Sequence, residues 1–174
     1  VPLARALRGR AADTHDPRTE GQTLRQAVDE ALHHRSYILL VIGFYVCGFH
    51  VQFIGVHLPN FLATEGFPEL AGIALGVIGF FNFLGTLACG WLGGRYSKNL
   101  VLSLLYFSRS VVFTLFLVFP INNVSIILFA AAIGFLWLGT VPLTTGLVAS
   151  MFGARYLTTL ASIVFLSHQL GAFT

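Results

Sequence analysis

Residues 70–93 read LAGIALGVIGFFNFLGTLACGWLG, 24 positions without one charged side chain. A helix needs roughly 20 apolar residues to cross a hydrocarbon core about 30 Å thick, so this stretch is predicted to span a membrane. The pattern repeats on both sides. Further spans are predicted at 37–58, 100–119, 124–150 and 156–174, making five. Pro59-Asn60 and residues 94–99, 120–123 and 152–155 read as connections. These connections are short, so neighbouring spans run antiparallel.

The composition points the same way. Of 174 residues, 56 % are apolar and 10 % charged, with a mean hydropathy of +0.80. A soluble domain usually carries about 25 % charge, and so little cannot clothe a water-facing surface. A soluble enzyme is therefore excluded. Eleven of the seventeen charged residues lie in residues 1–36, and the remaining 138 residues hold only Glu65, Glu69, Arg95, Lys98, Arg109 and Arg155. The fold class expected is an all-α polytopic bundle, residues 37–174, preceded by a polar arm, residues 1–36. The chain begins with Val1 and ends at Thr174 inside an apolar stretch, so it is expected to be part of a longer protein. No signal peptide is expected, because the apolar block begins only after a long charged arm.

Basic residues orient the bundle. The arm carries six and the second and fourth connections carry Arg95, Lys98 and Arg155. The first and third connections carry none. By the positive-inside rule the arm and the even-numbered connections face the cytoplasm. Within the arm, Thr23 precedes Leu24, Ala27, Val28, Ala31 and Leu32, and Thr23 with Gln26 forms a capping-box pattern. An amphipathic helix is predicted at about 23–35, lying on the cytoplasmic face of the bundle or membrane, with a flexible linker at 8–21. The arm's six bases are offset by five acids, which gives no basis for nucleic-acid binding. Cys47 and Cys89 fall in apolar spans and support neither a disulfide framework nor a zinc site. His33-His34 suits a cation at a helix C-terminus better than a metal ligand. No Walker, zincin or nucleophile-elbow motif is present, so no enzyme and no cofactor is predicted.

Ionisable groups inside a span are costly, which makes them functional candidates. Here they are His50, His57, Arg109 and His168, and none of the spans contains an acid. His50 and His57 share a helix face, with His50 near mid-membrane and His57 near the outer end. Span two carries Asn82 and Thr86 four residues apart, suited to a polar cavity. Its Gly72-x-x-x-Gly76 and Gly90-x-x-x-Gly94 pairs suit close helix packing. Arg109, between Ser108 and Ser110, either holds a substrate carboxylate or pairs with another helix. In span four, Trp137 could line a cavity and Pro142 should kink the helix. His168 is the strongest single candidate for a proton- or anion-sensitive group.

The second cytoplasmic connection, Gly90-Trp-Leu-Gly-Gly-Arg95-Tyr-Ser-Lys98, resembles the G-x-L-a-D-R-x-G-R-[RK] signature of the major facilitator superfamily. Gly94 stands where that signature has its Asp, and Ser97 where it has its second Gly. Gly48-Phe49-His50, His57-Leu58-Pro59, Ile78 to Asn82, Trp137 to Pro142 and Phe165 to Gly171 resemble bacterial monocarboxylate porters, a family that includes oxalate–formate exchangers. The resemblance covers about residues 22–174. It implies that the five spans are helices 7 to 11 of a twelve-helix fold and that residues 1–36 are its central cytoplasmic loop. The missing partners would be the N-terminal six-helix half and helix 12. Asn82 and Thr86 occupy positions where animal relatives carry an Asp and an Arg. The exchangers have a Lys near the position of His168.

The function expected from these readings is secondary transport of small organic anions, monocarboxylates, by alternating access with proton symport or anion exchange. The expected membrane is a bacterial inner membrane. The candidate substrate-binding residues are His168, His50, Asn82, Thr86 and Arg109, with a small carboxylate, protons and the lipid bilayer as partners. The alternatives are a facilitator of a neutral substrate, and a receptor or assembly protein on the same fold that transports nothing.

Overall fold

The computed structural model describes residues 22–174, and among these the architecture is all-α. The helices are α1 (Leu24–His33), α2 (Arg35–Thr64), α3 (Leu70–Arg95), α4 (Lys98–Val118), α5 (Asn123–Phe135), α6 (Thr140–Phe152) and α7 (Leu157–Phe173). The linker expected at 8–21 lies outside the described residues. Three helices, Arg35–Thr64, Leu70–Arg95 and Lys98–Val118, are each long and apolar enough to cross a bilayer, as is the stretch Asn123–Phe152 taken together. The shorter α7, of 17 residues, is apolar on average.

Local chemistry explains the helix ends. In α1 the Thr23 Oγ1 accepts from the Gln26 backbone N–H, and the Thr23 N–H donates to Gln26 Oε1 at 2.8 Å. Its buried stripe, Ala27 and Ala31, lies against the bundle rather than in open water. The Tyr156 hydroxyl ties the chain just before α1, donating to the Gln22 carbonyl at 2.7 Å. At α5, Asn122 Oδ1 accepts from the N–H groups of Val124 and Ser125, and Ser125 Oγ accepts from Asn122 N–H at 2.9 Å.

The first span is longer than its sequence suggests. Pro59 was expected to begin a connection, yet α2 runs through it to Thr64. Pro59 removes one backbone bond, but continuing the helix buries Leu62 completely beside Leu58 and Leu70. Burying a leucine contributes about 1.5–3 kcal/mol, of the same order as an interior proline costs, so packing decides the matter. The true end is marked by Gly66. Its φ of +90° lets Phe67 N–H reach the Leu62 carbonyl at 2.8 Å, the closing bond of a Schellman motif.

The fourth span also departs from a single helix over 124–150. It stops at Phe135 and resumes at Thr140, two residues before the expected kink residue Pro142. Pro142 has no N–H for the carbonyl of Leu138, four residues earlier, and its ring crowds that carbonyl. The strain is relieved by breaking the helix there, which leaves Pro142 in the first turn of α6, where proline is tolerated.

Among the described residues, close helix packing occurs at glycines other than those expected to provide it. A Cβ on Gly72, Gly76, Gly90 or Gly94 would meet nothing within 4 Å. Instead α2 and α7 meet through Gly48 and Gly171, each facing the other helix's backbone. Gly85 and Gly134 play the same part for α3 and α5. Two apolar cores result. The inner one contains Tyr37, Phe44, Leu105, Leu143, Leu147 and Leu160. The outer one contains Ile54, Leu62, Ile78, Ile126, Phe129 and Ile133. Helix α5 contributes only to the outer core and α6 only to the inner one.

Candidate functional site

Between the two cores lies a polar layer. On α2 the last inner-core residue is Cys47 and the first outer-core residue is Ile54, and His50 falls between them. On α3, Asn82 and Thr86 fall between Ile78 and Cys89. Arg109 follows Leu105 on α4, the interruption at 136–139 separates Ile133 from Leu143, and His168 follows Val164 on α7. Residues from five separate spans therefore share one level of the bundle, and these are the five candidates of the sequence plus the broken span.

Arg109 is the centre of the layer. It is buried at 3 % exposure. Of the two uses open to it, the structure shows pairing with another helix. Its Nε donates to the Leu136 carbonyl at 3.0 Å, and its Nη2 to the same oxygen at 2.5 Å and to the Trp137 carbonyl. Its Nη1 donates to Cys47 Sγ at 3.2 Å. The carbonyls belong to the C-cap residue of α5 and the residue after it, at the end of the helix where a cation is also favoured by the dipole. The guanidinium carbon lies 5.6 Å from the Tyr106 ring, whose hydroxyl donates to the Gly43 carbonyl at 3.0 Å.

Asn82 serves the other side of the break. Its Oδ1 accepts from Leu138 N–H at 3.0 Å and faces the Thr86 hydroxyl at 3.5 Å. The Asn82 amide nitrogen has no partner among the described residues. His168 packs its ring on Phe44 with centroids 4.9 Å apart. Cys47 lies 3.6 Å from the Thr140 hydroxyl, so it links Arg109 with the start of α6. His50 stands beside Phe113 at 5.8 Å between ring centroids, with a buried Nδ1 that has no partner among the described residues. The Thr144 hydroxyl, fully buried on α6, is likewise without one.

His57 is placed apart from this layer. It is exposed near the outer end and packs on Phe53, and with Phe113 and Phe116 it lines a cavity of about 260 Å³. A larger apolar cavity of about 570 Å³, between α4 and α5, contains none of the five candidates. Trp137 is half-buried at the break and contributes its carbonyl to Arg109. The five candidates did not include Cys47, Thr140 or Thr144. The spacing Cys47-x-x-His50 and the hydroxyls flanking Pro142 were the available signals. Among the described residues no three His, Cys, Asp or Glu side chains gather as a metal site requires.

Comparison with known proteins supplies the frame for this geometry. A family model described as Major Facilitator Superfamily matches residues 2–174. The chain belongs to the major facilitator superfamily. Its apolar helices are therefore membrane spans of that superfamily's helical fold. It is also similar to an uncharacterized transporter of the superfamily type from Bacillus subtilis, YcxA. The two are 25 % identical over 166 residues, covering 89 % of this chain and 40 % of the relative. The chain thus spans less than half the length of that relative. No solved structure matches.

Proposed function

We propose that the chain supplies helices 7 to 11 of a twelve-helix secondary transporter, and that the transported species is a small organic anion of the monocarboxylate type. One observation carries this reading. The described spans bring Arg109, His50 and His168 to one level and contain no Asp or Glu to offset them. A positive, acid-free layer in low dielectric attracts an anion and repels a cation. Binding in such a layer, near mid-bilayer between two six-helix halves, supports alternating access with no covalent step.

In this reading His168, His50, Asn82 and Thr86 contact the substrate. The free amide donor of Asn82 and the unpartnered Nδ1 of His50 suit a carboxylate or the proton that travels with it. Arg109, with its fork on backbone carbonyls, contributes its charge. Residues 1–36 and the connections bearing Arg95, Lys98 and Arg155 face the cytoplasm by their basic charge. A bacterial inner membrane fits the bacterial relative.

The test is uptake of labelled acetate, lactate and oxalate by the full-length parent in proteoliposomes, with and without an inward proton gradient. Saturable uptake that rises with the gradient supports symport, and uptake that needs internal carboxylate supports exchange. His168→Ala is expected to abolish uptake or remove its pH dependence. Normal uptake with unchanged pH dependence in that variant would remove His168 from the site, and absence of flux for every carboxylate would remove the substrate assignment.

A further inference from the structure

The break at residues 136–139 lies where open backbone groups are most expensive. A helix that stops leaves carbonyls without donors, and the helix that follows leaves N–H groups without acceptors. Inside a bilayer no water supplies them. Here two other helices meet part of that need, each by type. Arg109 on α4 brings donors to the carbonyls of Leu136 and Trp137. Asn82 on α3 brings an acceptor to the N–H of Leu138.

The form of the Arg109 contact matters. Two nitrogens of one guanidinium converge on the single Leu136 oxygen while one of them also serves Trp137. A lysine ammonium is a point charge on a flexible stem and cannot reproduce a planar fork. The helices on either side of the break are also anchored separately. Ile126, Phe129 and Ile133 of α5 pack in the outer core, and Leu143, Leu147 and Val148 of α6 in the inner one. The angle between the two pieces is therefore not set by a shared core, and the contacts at the break must set it.

We infer that Arg109 is a positioning residue, whose fork on the Leu136 and Trp137 carbonyls fixes the junction of α5 with α6 and so places Asn82, Thr86 and Trp137 for the ligand, without itself being a ligand. Only the flux arm of its test rests on the transporter reading above.

The test uses the full-length parent in nanodiscs and proteoliposomes, as wild type and as Arg109→Lys, Arg109→Gln and Asn82→Ala. Backbone hydrogen exchange is read by mass spectrometry for peptides covering 134–142, and uptake of labelled carboxylate is read alongside. Both Arg109 variants are expected to speed exchange in 134–142 at least tenfold, while peptides from α2 keep wild-type rates. Where there is flux, the maximal rate should fall tenfold or more with KM changed less than threefold, and lysine should not rescue it. Asn82→Ala should speed exchange at the Leu138 amide. Wild-type exchange in Arg109→Lys, together with a raised KM alone, would show a residue that binds the anion by charge and would overturn the inference. If the Arg109 variants do not fold, Asn82→Ala decides: unchanged exchange at Leu138 would refute the account of the break. Loss of the substrate assignment through absent carboxylate flux leaves the exchange measurement standing, so the two failures are told apart.

Discussion

Gly48→Ala is the most direct challenge to the packing of this bundle. A Cβ at Gly48 would stand 2.8 Å from the His168 carbonyl carbon, closer still to its oxygen, and 3.1 Å from the Ala172 nitrogen. All three are backbone atoms, so no side chain can rotate aside and α7 must move off α2. Relieving the carbonyl carbon alone takes a shift of roughly 0.6 Å, and gaps of 0.5–1 Å forfeit about a quarter to a half of each dispersion contact across the seam. Overpacking of this kind costs about 1–3 kcal/mol. At about 2 kcal/mol, a unit of 150–250 residues loses roughly 4–8 °C in melting temperature. Gly43, on the same helix, is the internal control. Its Cβ would meet the Tyr106 hydroxyl at 3.9 Å, an ordinary contact. Gly43→Ala should therefore stabilise by about 0.5–1 kcal/mol through the lost backbone freedom of glycine. Thermal unfolding of the purified protein in detergent, followed with a thiol-reactive fluorophore that reports exposure of the buried Cys47 and Cys89, measures both. Equal shifts at the two positions, or a higher midpoint for Gly48→Ala, would refute the claim that backbone contact sets the α2–α7 distance.

Three further outcomes follow from named contacts. Gly134→Ala should destabilise by about 1–3 kcal/mol in the same assay, because its Cβ would stand 2.6 Å from the Ile78 carbonyl oxygen. Asn122→Ala removes the acceptor for the Val124 and Ser125 N–H groups and should cost about 1 kcal/mol, with faster amide exchange confined to the first turn of α5. Tyr37→Phe deletes the buried hydroxyl that donates to the Leu160 carbonyl at 2.8 Å and should cost about 1 kcal/mol, read as a fall in melting temperature without loss of helix content.

The spans were legible because a bilayer imposes a single length and tolerates few charges. Residues 70–93 could not be read otherwise, and Thr23 with Gln26 announced the start of α1 through chemistry that needs no tertiary context. What was hidden depended on the neighbour. Gly72 and Gly76 have the spacing of a packing motif, yet they face open space among the described residues, while Gly48 and Gly171 carry the contact from helices far apart in sequence. Spacing along one helix says that a close approach is allowed and nothing about which helix makes it. Pro59 misled for the same reason, since the burial of Leu62 that keeps the helix going is a tertiary fact.

The site was legible as a set of residues and illegible as an arrangement. Polar groups in apolar spans stand out singly, and the bundle brings His50, Asn82, Thr86, Arg109 and His168 to one level. The sequence left Arg109 a choice between a substrate carboxylate and another helix, because the spans hold no acid and no spacing names its partner. Its partners are the main-chain carbonyls of Leu136 and Trp137, which become available only because the span breaks. The break was itself written in Gly139 and Pro142, two positions that weaken a helix at one place. An arginine in an acid-free bundle and a helix-breaking Gly/Pro pair in another span at the same depth are thus two halves of one arrangement. Each alone would be costly in a membrane: a buried charge without a counter-group, and freed carbonyls without donors. Together each satisfies the other, so removing either should disturb the same stretch of backbone.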